Sequence, residues 1–530
     1  MLRLLSPYVI SLLIAVSGGA ASAKPEDDIR AAIAPHGNEI VSTRHKVRLG
    51  NGMPISYTAH AGQIPLYVND TGERMATMFF VAYIADRPKG SPPRPLTFLW
   101  NGGPGSNSAQ VHIVGFGPKR VITGDTYPEF GAHTETAIVD HAETWLDSSD
   151  LVFVDPIGTG FSRATTQDFR DTLYTARGDA EAVAEFIRVF LHRFERWNSP
   201  LLLAGESYGT TRAELVADML ERRRTHVAGV LLISGFMELG QKTPPHLEKA
   251  MDVVEFAAAA HFHGKMGPDL QALSQQEALS KAEAWARASY APALARLNTL
   301  SSTERAAILE RLASITGLDP KHIDSKTLTI GSDDFHDNLL AERGLELGRY
   351  DSRMAVKKRA PGEHWMPWKD PSLAPMADLM EGTSRIFNTY IRDDLGFRSD
   401  LLYRGPFGKA FHPAPLQVEP QFGYAKDWMA LMFKFGEAGH APPADLPLLR
   451  AMRENPEMRV FSMLGLYDGT CAGREEAIRS LSVEIRNRVQ SACYVGGHMF
   501  YSDRETRRRA QADFADFVEK VSVGKTAGGR

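Results

Sequence analysis

The sequence has few cysteines, no basic excess and, beyond its N-terminus, no long apolar run. Cys471 and Cys493 are the two cysteines among 530 residues, so a hydrophobic core must hold the fold rather than a disulfide framework. The net charge of −4 gives no indication of binding to nucleic acid or anionic lipid. No later segment approaches the roughly 20 apolar residues that cross a bilayer. At 530 residues, the chain is long enough for a large core with an insertion.

The N-terminal segment has the pattern of a secretory signal peptide. Arg3 precedes the apolar run Val9–Val16, and small residues follow up to Ala21-Ser22-Ala23. A charged region, a short apolar region and an A-x-A cleavage site predict a signal peptide over residues 1–23. No cysteine lies near the cleavage site, which argues against a lipoprotein. We therefore expect an exported protein, periplasmic or secreted, with no membrane segment after cleavage.

Short, continuous apolar runs alternate with helical patterns along most of the chain. Continuous runs suit strands buried on both faces, and their alternation with helices favours an α/β fold with a mostly parallel sheet. The interval 236–427 breaks this rhythm, being first Ala- and Leu-rich and then loop-rich. We predict a core of residues 24–235 and 428–530, interrupted by a largely helical cap at 236–427. The predicted strands are Met78–Ile84, Leu96–Trp100, Leu151–Asp155, Leu201–Gly205, Val230–Ser234, Val460–Leu466 and Cys493–Val495.

The strongest motif is G-x-S-x-G at Gly205–Gly209, with Ser207 at its centre. It lies between a predicted buried strand and a predicted helix, which is the context of a nucleophile elbow in the α/β-hydrolase fold. The glycines permit the sharp turn, and the helix N-terminus provides positive potential for an oxyanion. Ser207 is therefore the predicted nucleophile.

A second glycine-rich loop, Asn101-Gly-Gly-Pro-Gly-Ser106, follows the strand Leu96–Trp100. Consecutive glycines let backbone N–H groups approach a ligand, as an oxyanion hole requires. In this fold, the residue after the nucleophile supplies the other N–H, here that of Tyr208.

Chain order places the acid and the base of the site after Ser207. Asp468 and His498 each follow a predicted strand, where open α/β sheets build their sites. His498 would take the Ser207 proton, and Asp468 would orient its imidazole. Asp155 precedes the serine and Asp503 follows the histidine, so both are weaker candidates for the acid.

Together, these motifs resemble the serine carboxypeptidase family. The shared blocks are WNGGPGS (100–106), DPIGTGFS (155–162), GESYG (205–209), the Asp468 loop and GGHM (496–499). The chain resembles a bacterial-type member of this family. The resemblance implies release of C-terminal residues from peptides with a free carboxylate, without metal or organic cofactor. It also implies site roles: Asn101, Gly102 and Glu206 bind that carboxylate, Gly103 and Tyr208 form the oxyanion hole, and Cys471 lines the substrate site.

One departure from the family pattern affects these expectations. Gly115 occupies the position where many members have a glutamate that pairs with the residue equivalent to Glu206. Cys471 lies in a loop and Cys493 on a strand, so two free thiols are favoured over a disulfide, which needs Cα atoms within about 7 Å.

Two other functions stay open at this point. An acyl-enzyme on the same residues serves an esterase or acyltransferase equally well. A non-catalytic binding protein is disfavoured because nucleophile, base and glycine loop are all present. The sequence does not indicate the oligomeric state.

Overall fold

The computed structural model describes residues 40–123, 133–235, 243–360, 362–363, 365, 369–374, 384–405, 446–469 and 471–527. The predicted signal peptide lies outside these residues. Among the helices that the structure describes, none is long and apolar enough to cross a membrane.

Fourteen strands lie in the described ranges. They are β1 (Ile40–Arg48), β2 (Pro54–Tyr67), β3 (Arg74–Ala85), β4 (Leu96–Trp100), β5 (Lys119–Thr123), β6 (His133–Asp140), β7 (Asp150–Val154), β8 (Arg163–Ala164), β9 (Leu201–Glu206), β10 (Val227–Ile233), β11 (Leu345–Leu347), β12 (Ala355–Lys357), β13 (Arg459–Gly465) and β14 (Val489–Tyr494).

The α-helices of the same ranges are α1 (Gln167–Leu173), α2 (Ala176–Arg193), α3 (Tyr208–Arg222), α4 (Pro245–Phe262), α5 (Pro268–Gln271), α6 (Gln275–Trp285), α7 (Ala291–Ala295), α8 (Ser302–Thr316), α9 (Ser332–Asn338), α10 (Arg385–Thr389), α11 (Pro447–Glu454), α12 (Cys471–Arg479), α13 (Val483–Arg486) and α14 (Arg504–Ala527). Short π-helices are Val111–Phe116, Ala286–Tyr290 and Tyr390–Asp394, and 3₁₀-helices are Trp145–Asp147, Leu297–Thr299, Pro320–His322, Ala341–Arg343 and Phe500–Ser502.

The central sheet has the strand order β1-β2-β3-β7-β4-β9-β10-β13-β14, with β8 paired to β3. Six neighbouring strands, β7, β4, β9, β10, β13 and β14, run parallel, which confirms the mostly parallel sheet. The first three strands are antiparallel to their neighbours. The run Met78–Ile84 is thus a buried strand, as predicted, yet it belongs to this antiparallel part. A mostly parallel sheet with an antiparallel edge and flanking helices is the α/β-hydrolase fold.

Separate hydrophobic clusters cover the two faces of this sheet. Successive residues of β4 point to opposite faces, so Leu99 joins one cluster while Phe98 and Trp100 join the other. Helices α2 and α3 pack on the second face, and α14 packs on the first through Phe514 and Phe517. Burial on both faces explains why the central strands are continuous apolar runs.

A third cluster lies in the helical region that begins with α4. Helix α4 contributes the most residues, helices α6, α7 and α8 contribute others, and the cluster includes Ala472 of α12. The Ala-rich part of the interval 236–427 is therefore helical with a core of its own. Residues 236–242 and 406–445 lie outside the described ranges, so the boundaries of a cap domain stay a prediction.

Candidate active site

The G-x-S-x-G motif forms a sharp turn from β9 into α3, with Ser207 at its apex. Ser207 has φ 57° and ψ −128°, a backbone conformation that is uncommon for a residue with a side chain. Its N–H donates to the carbonyl of Ile233 (2.9 Å), the last residue of β10. A side chain at Gly205 would collide with the carbonyl of Gly209, which explains why the turn requires glycine there. Ser207 therefore lies at the carboxyl edge of the sheet.

The glycine-rich loop after β4 packs directly against this turn. A Cβ at Gly102 would lie 2.5 Å from the Tyr208 nitrogen and 2.6 Å from the Glu206 carbonyl oxygen, so only glycine permits this approach. Gly103 follows with φ 102°, in the left-handed region that favours glycine. The structure thus brings Gly102, Gly103 and Tyr208 together beside Ser207.

Asn101 joins this loop to Glu206 through a buried hydrogen bond. The Asn101 Nδ2 group donates to Glu206 Oε2 (2.9 Å), and Asn101 Oδ1 accepts from the N–H of Val111 (3.1 Å). Both side chains are buried. The Asn101 carbonyl also accepts from Arg212, whose guanidinium pairs with buried Asp179. These contacts hold the polar groups of the loop in one arrangement.

Asp468 and His498 form a close pair in the loops after β13 and β14. The His498 Nδ1 atom lies 2.9 and 2.8 Å from the two carboxylate oxygens of Asp468. A carboxylate accepts hydrogen bonds, so Nδ1 carries a proton, and in the neutral ring Nε2 is left as an acceptor. The latter atom lies 3.5 Å from Oε1 of Glu206, the residue before Ser207.

Hydrogen bonds between neighbouring strand ends bring these two loops to Ser207. The N–H of Tyr467 donates to the carbonyl of Gly496 (2.9 Å), joining the Asp468 loop to the His498 loop. The Ser234 hydroxyl, just beyond β10, donates to the His498 carbonyl (2.5 Å). Because Ser207 is bonded to the last residue of β10, the predicted nucleophile, base and acid all lie at one sheet edge.

The pKa of His498 is set by opposing influences. Burial lowers it, but the charges of Asp468 and Glu206 and the hydrogen bond to Asp468 raise it to about 9. The buried imidazole is thus stabilised in its protonated form by two carboxylates. A proton taken up by His498 is strongly held.

The two other candidate acids have different partners. Asp155 is buried and accepts from the N–H of Ser108 (2.8 Å), which fixes the loop that follows the glycine run. Burial raises the pKa of Asp155 to about 7. Asp503 accepts from the N–H of Thr506 (3.1 Å) and thereby caps the N-terminus of α14. Chain order and contacts thus point to Asp468.

The prediction that Cys471 and Cys493 are free thiols is wrong. They form a disulfide with a Cα–Cα distance of 5.9 Å. Cys493 pairs with Leu464 across β13 and β14, and the chain turns back after β13, so α12 begins with Cys471 beside β14. The sequence shows a loop and a strand position, but not this return. Cys471 accordingly provides no thiol to a substrate site.

Sequence patterns did not indicate the segment between β11 and β12, which supports the His498 loop. The Tyr350 carbonyl accepts from the His498 N–H (2.6 Å), and the two rings are 5.0 Å apart. The N–H of Ser352 donates to the Tyr467 carbonyl (3.0 Å), and buried Asp351 pairs with Arg353. This segment lies in a loop-rich interval without a motif, so no sequence signal marks it.

Comparisons with known proteins show similarity to carboxypeptidases. The family model described as Serine carboxypeptidase matches residues 54–276. The pheromone-processing carboxypeptidase KEX1 of Yarrowia lipolytica is 28% identical over 203 residues, covering 37% of this chain and 30% of the relative. The protein of that name from Saccharomyces cerevisiae is 32% identical over 160 residues, covering 28% of this chain and 20% of the relative. The matched segments thus span less than a third of these two relatives.

Among solved structures, the prohormone-processing carboxypeptidase Kex1(delta)p of Saccharomyces cerevisiae aligns with a TM-score of 0.48 at 16% identity. The alignment covers 87% of this chain and 91% of that one. The family match confirms the resemblance indicated by the motifs and includes the glycine loop and Ser207. Residues 54–276 of this chain are therefore similar to the serine carboxypeptidase family.

Proposed function

We propose that this protein is a serine carboxypeptidase that releases C-terminal residues from peptides through an acyl-enzyme on Ser207. The observation that carries the proposal is the pairing of His498 Nδ1 with Asp468 at the sheet edge where Ser207 stands on its strained turn. The family match over residues 54–276 supports the same reaction class.

In the acylation step, the Ser207 hydroxyl attacks the scissile carbonyl while His498 Nε2 takes its proton. The oxyanion that forms accepts hydrogen bonds from the N–H groups of Gly103 and Tyr208. His498 then returns the proton to the leaving amine as the C–N bond breaks. Water, deprotonated by His498, attacks the acyl-enzyme, and the proton passes back to Ser207 on release. Asp468 stabilises the imidazolium throughout.

Selection for the peptide C-terminus is assigned to the Asn101, Gly102 and Glu206 group. A buried amide, a backbone N–H and a carboxyl group side by side can hold a substrate carboxylate next to the nucleophile. This group favours a peptidase specific for free C-termini over an esterase, because a neutral ester has no carboxylate for these residues to bind.

The test compares blocked dipeptides that have free or amidated C-termini. We expect kcat/KM to be far higher for the free acids, and Ser207→Ala or His498→Ala to lower kcat by several orders of magnitude, roughly 10³-fold or more. Asp468→Asn should also lower kcat severely, because it removes the carboxylate that fixes the imidazole tautomer.

The matched control is Asp503→Asn, the same change at the acid that caps α14. Asparagine caps a helix about as well as aspartate, so this variant should retain nearly full activity. Equal cleavage of amidated and free peptides, or activity in Ser207→Ala, would exclude the proposed carboxypeptidase.

We also propose that the protein is exported by means of residues 1–23. The disulfide supports this proposal, because such bonds persist in oxidising compartments outside the cytoplasm.

A further inference from the structure

Tyr501 is a buried phenol beside the candidate site that the proposed reaction does not use. It follows His498 by three residues, within the 3₁₀-helix Phe500–Ser502. The side chain is fully buried, and its hydroxyl has no hydrogen-bond partner among the residues that the structure describes. Burying a hydroxyl without a partner is unfavourable, so its burial here calls for an explanation.

Tyr501 occupies space that Gly115 leaves open. A Cβ on Gly115 would lie 3.5 and 3.6 Å from Cδ2 and Cε2 of the Tyr501 ring, so a side chain much longer than a methyl group would collide with it. Gly115 is part of the π-helix Val111–Phe116, whose first N–H holds Asn101. The Tyr501 ring thus packs on the same short helix that positions Asn101.

The electrostatic surroundings of Tyr501 identify it as a hydrogen-bond donor. Burial, and after it the charge of Glu206, raise the pKa of the Tyr501 phenol well above its usual range. The phenol consequently keeps its proton at any pH at which the enzyme would work. Glu206 is also the carboxylate to which Asn101 already donates.

We propose that the Tyr501 hydroxyl donates a hydrogen bond to the C-terminal carboxylate of the peptide substrate. The inference rests on the proposed carboxypeptidase function and adds a specificity-determining residue to it. A substrate carboxylate that binds beside the Glu206 carboxyl group needs hydrogen-bond donors from the protein. Tyr501 supplies such a donor, and the bound carboxylate gives the buried hydroxyl its missing acceptor.

Tyr501→Phe tests this role because it removes the hydroxyl and keeps the ring against Gly115. Hydrogen bonds to charged groups contribute roughly 1.5–3 kcal/mol, so KM for a free-acid peptide should rise about ten- to hundredfold. Both kcat for that peptide and kcat/KM for a blocked amino-acid ethyl ester should change less than about twofold. The same variants in a Ser207→Ala background report the Kd of the free-acid peptide without turnover.

Tyr57→Phe is the matched control, because Tyr57 is another fully buried tyrosine whose hydroxyl has no partner in the described residues. It lies on β2, and the charges that raise its pKa do not include that of Glu206. This variant should leave KM for the free-acid peptide and kcat/KM for the ester unchanged.

The outcomes separate the two proposals. The role of Tyr501 is overturned if Tyr501→Phe leaves KM and Kd for the free acid unchanged, or if it lowers kcat/KM equally for the acid and the ester. In either case, a wild-type preference for free acids leaves the carboxypeptidase proposal intact. A wild type that does not prefer free acids would overturn both.

Discussion

At the residue scale, the proton on His498 connects catalysis to pH through Glu206. His498 acts as a base only when neutral, and its pKa is raised to about 9 by Asp468 and Glu206 against the effect of burial. Activity on a neutral ester should therefore rise with pH until that pKa is passed. The acidic limb of kcat/KM reports this ionisation in the free enzyme.

Glu206→Gln should move that limb to lower pH, because the variant removes a negative charge 3.5 Å from Nε2. Glutamine still offers an acceptor to Asn101, so the loop is expected to keep its structure. The measurement is kcat/KM against pH on a blocked amino-acid ethyl ester. Glu505→Gln, an exposed acid of α14, is the control and should leave the limb in place. An unmoved limb in Glu206→Gln would show that Glu206 does not influence His498.

At the element scale, the disulfide joins the start of α12 to β14, the elements that follow Asp468 and precede His498. Closing a loop of 22 residues restricts the unfolded chain, and this effect corresponds to about 3 kcal/mol. Replacing both Cys471 and Cys493 by alanine should lower the free energy of unfolding by about that amount, as measured by denaturant unfolding.

The wild-type protein should also resist thiol reagents. With both cysteines of the sequence in the disulfide, a bulky reagent should titrate no thiol and leave turnover unchanged unless a reductant is added first. Inhibition without reductant would contradict the disulfide. The double alanine variant, incubated with the same reagent, controls for effects elsewhere on the chain.

Elements differ in how clearly the sequence indicates them. Strands β4, β7, β9, β10 and β13 are continuous apolar runs because both faces of the central sheet are covered, and sequence predicted all five to within a few residues. Strand β1 alternates between exposed and partly buried positions at the sheet edge. Its apolar signal is therefore weak, and the sequence pattern did not predict it.

At the scale of the whole molecule, the proposed export predicts a chain that begins at Lys24. Intact mass and N-terminal sequencing of the exported protein check this position. Substitution of Ala23 by arginine should block cleavage, since the site requires small residues, while Ser22→Ala at the open middle position should not. An exported protein that still begins with Met1 would contradict the predicted cleavage.

The fold class and the candidate nucleophile, base and acid could be predicted from order along the chain. Buried parallel strands require unbroken apolar runs, and an elbow at Ser207 requires glycines at fixed spacing, so both leave local patterns. The disulfide, the support of His498 by Tyr350 and the position of Tyr501 against Gly115 leave none. Each joins residues whose approach depends on how strands pair and loops return, and those contacts arise only when the chain has folded.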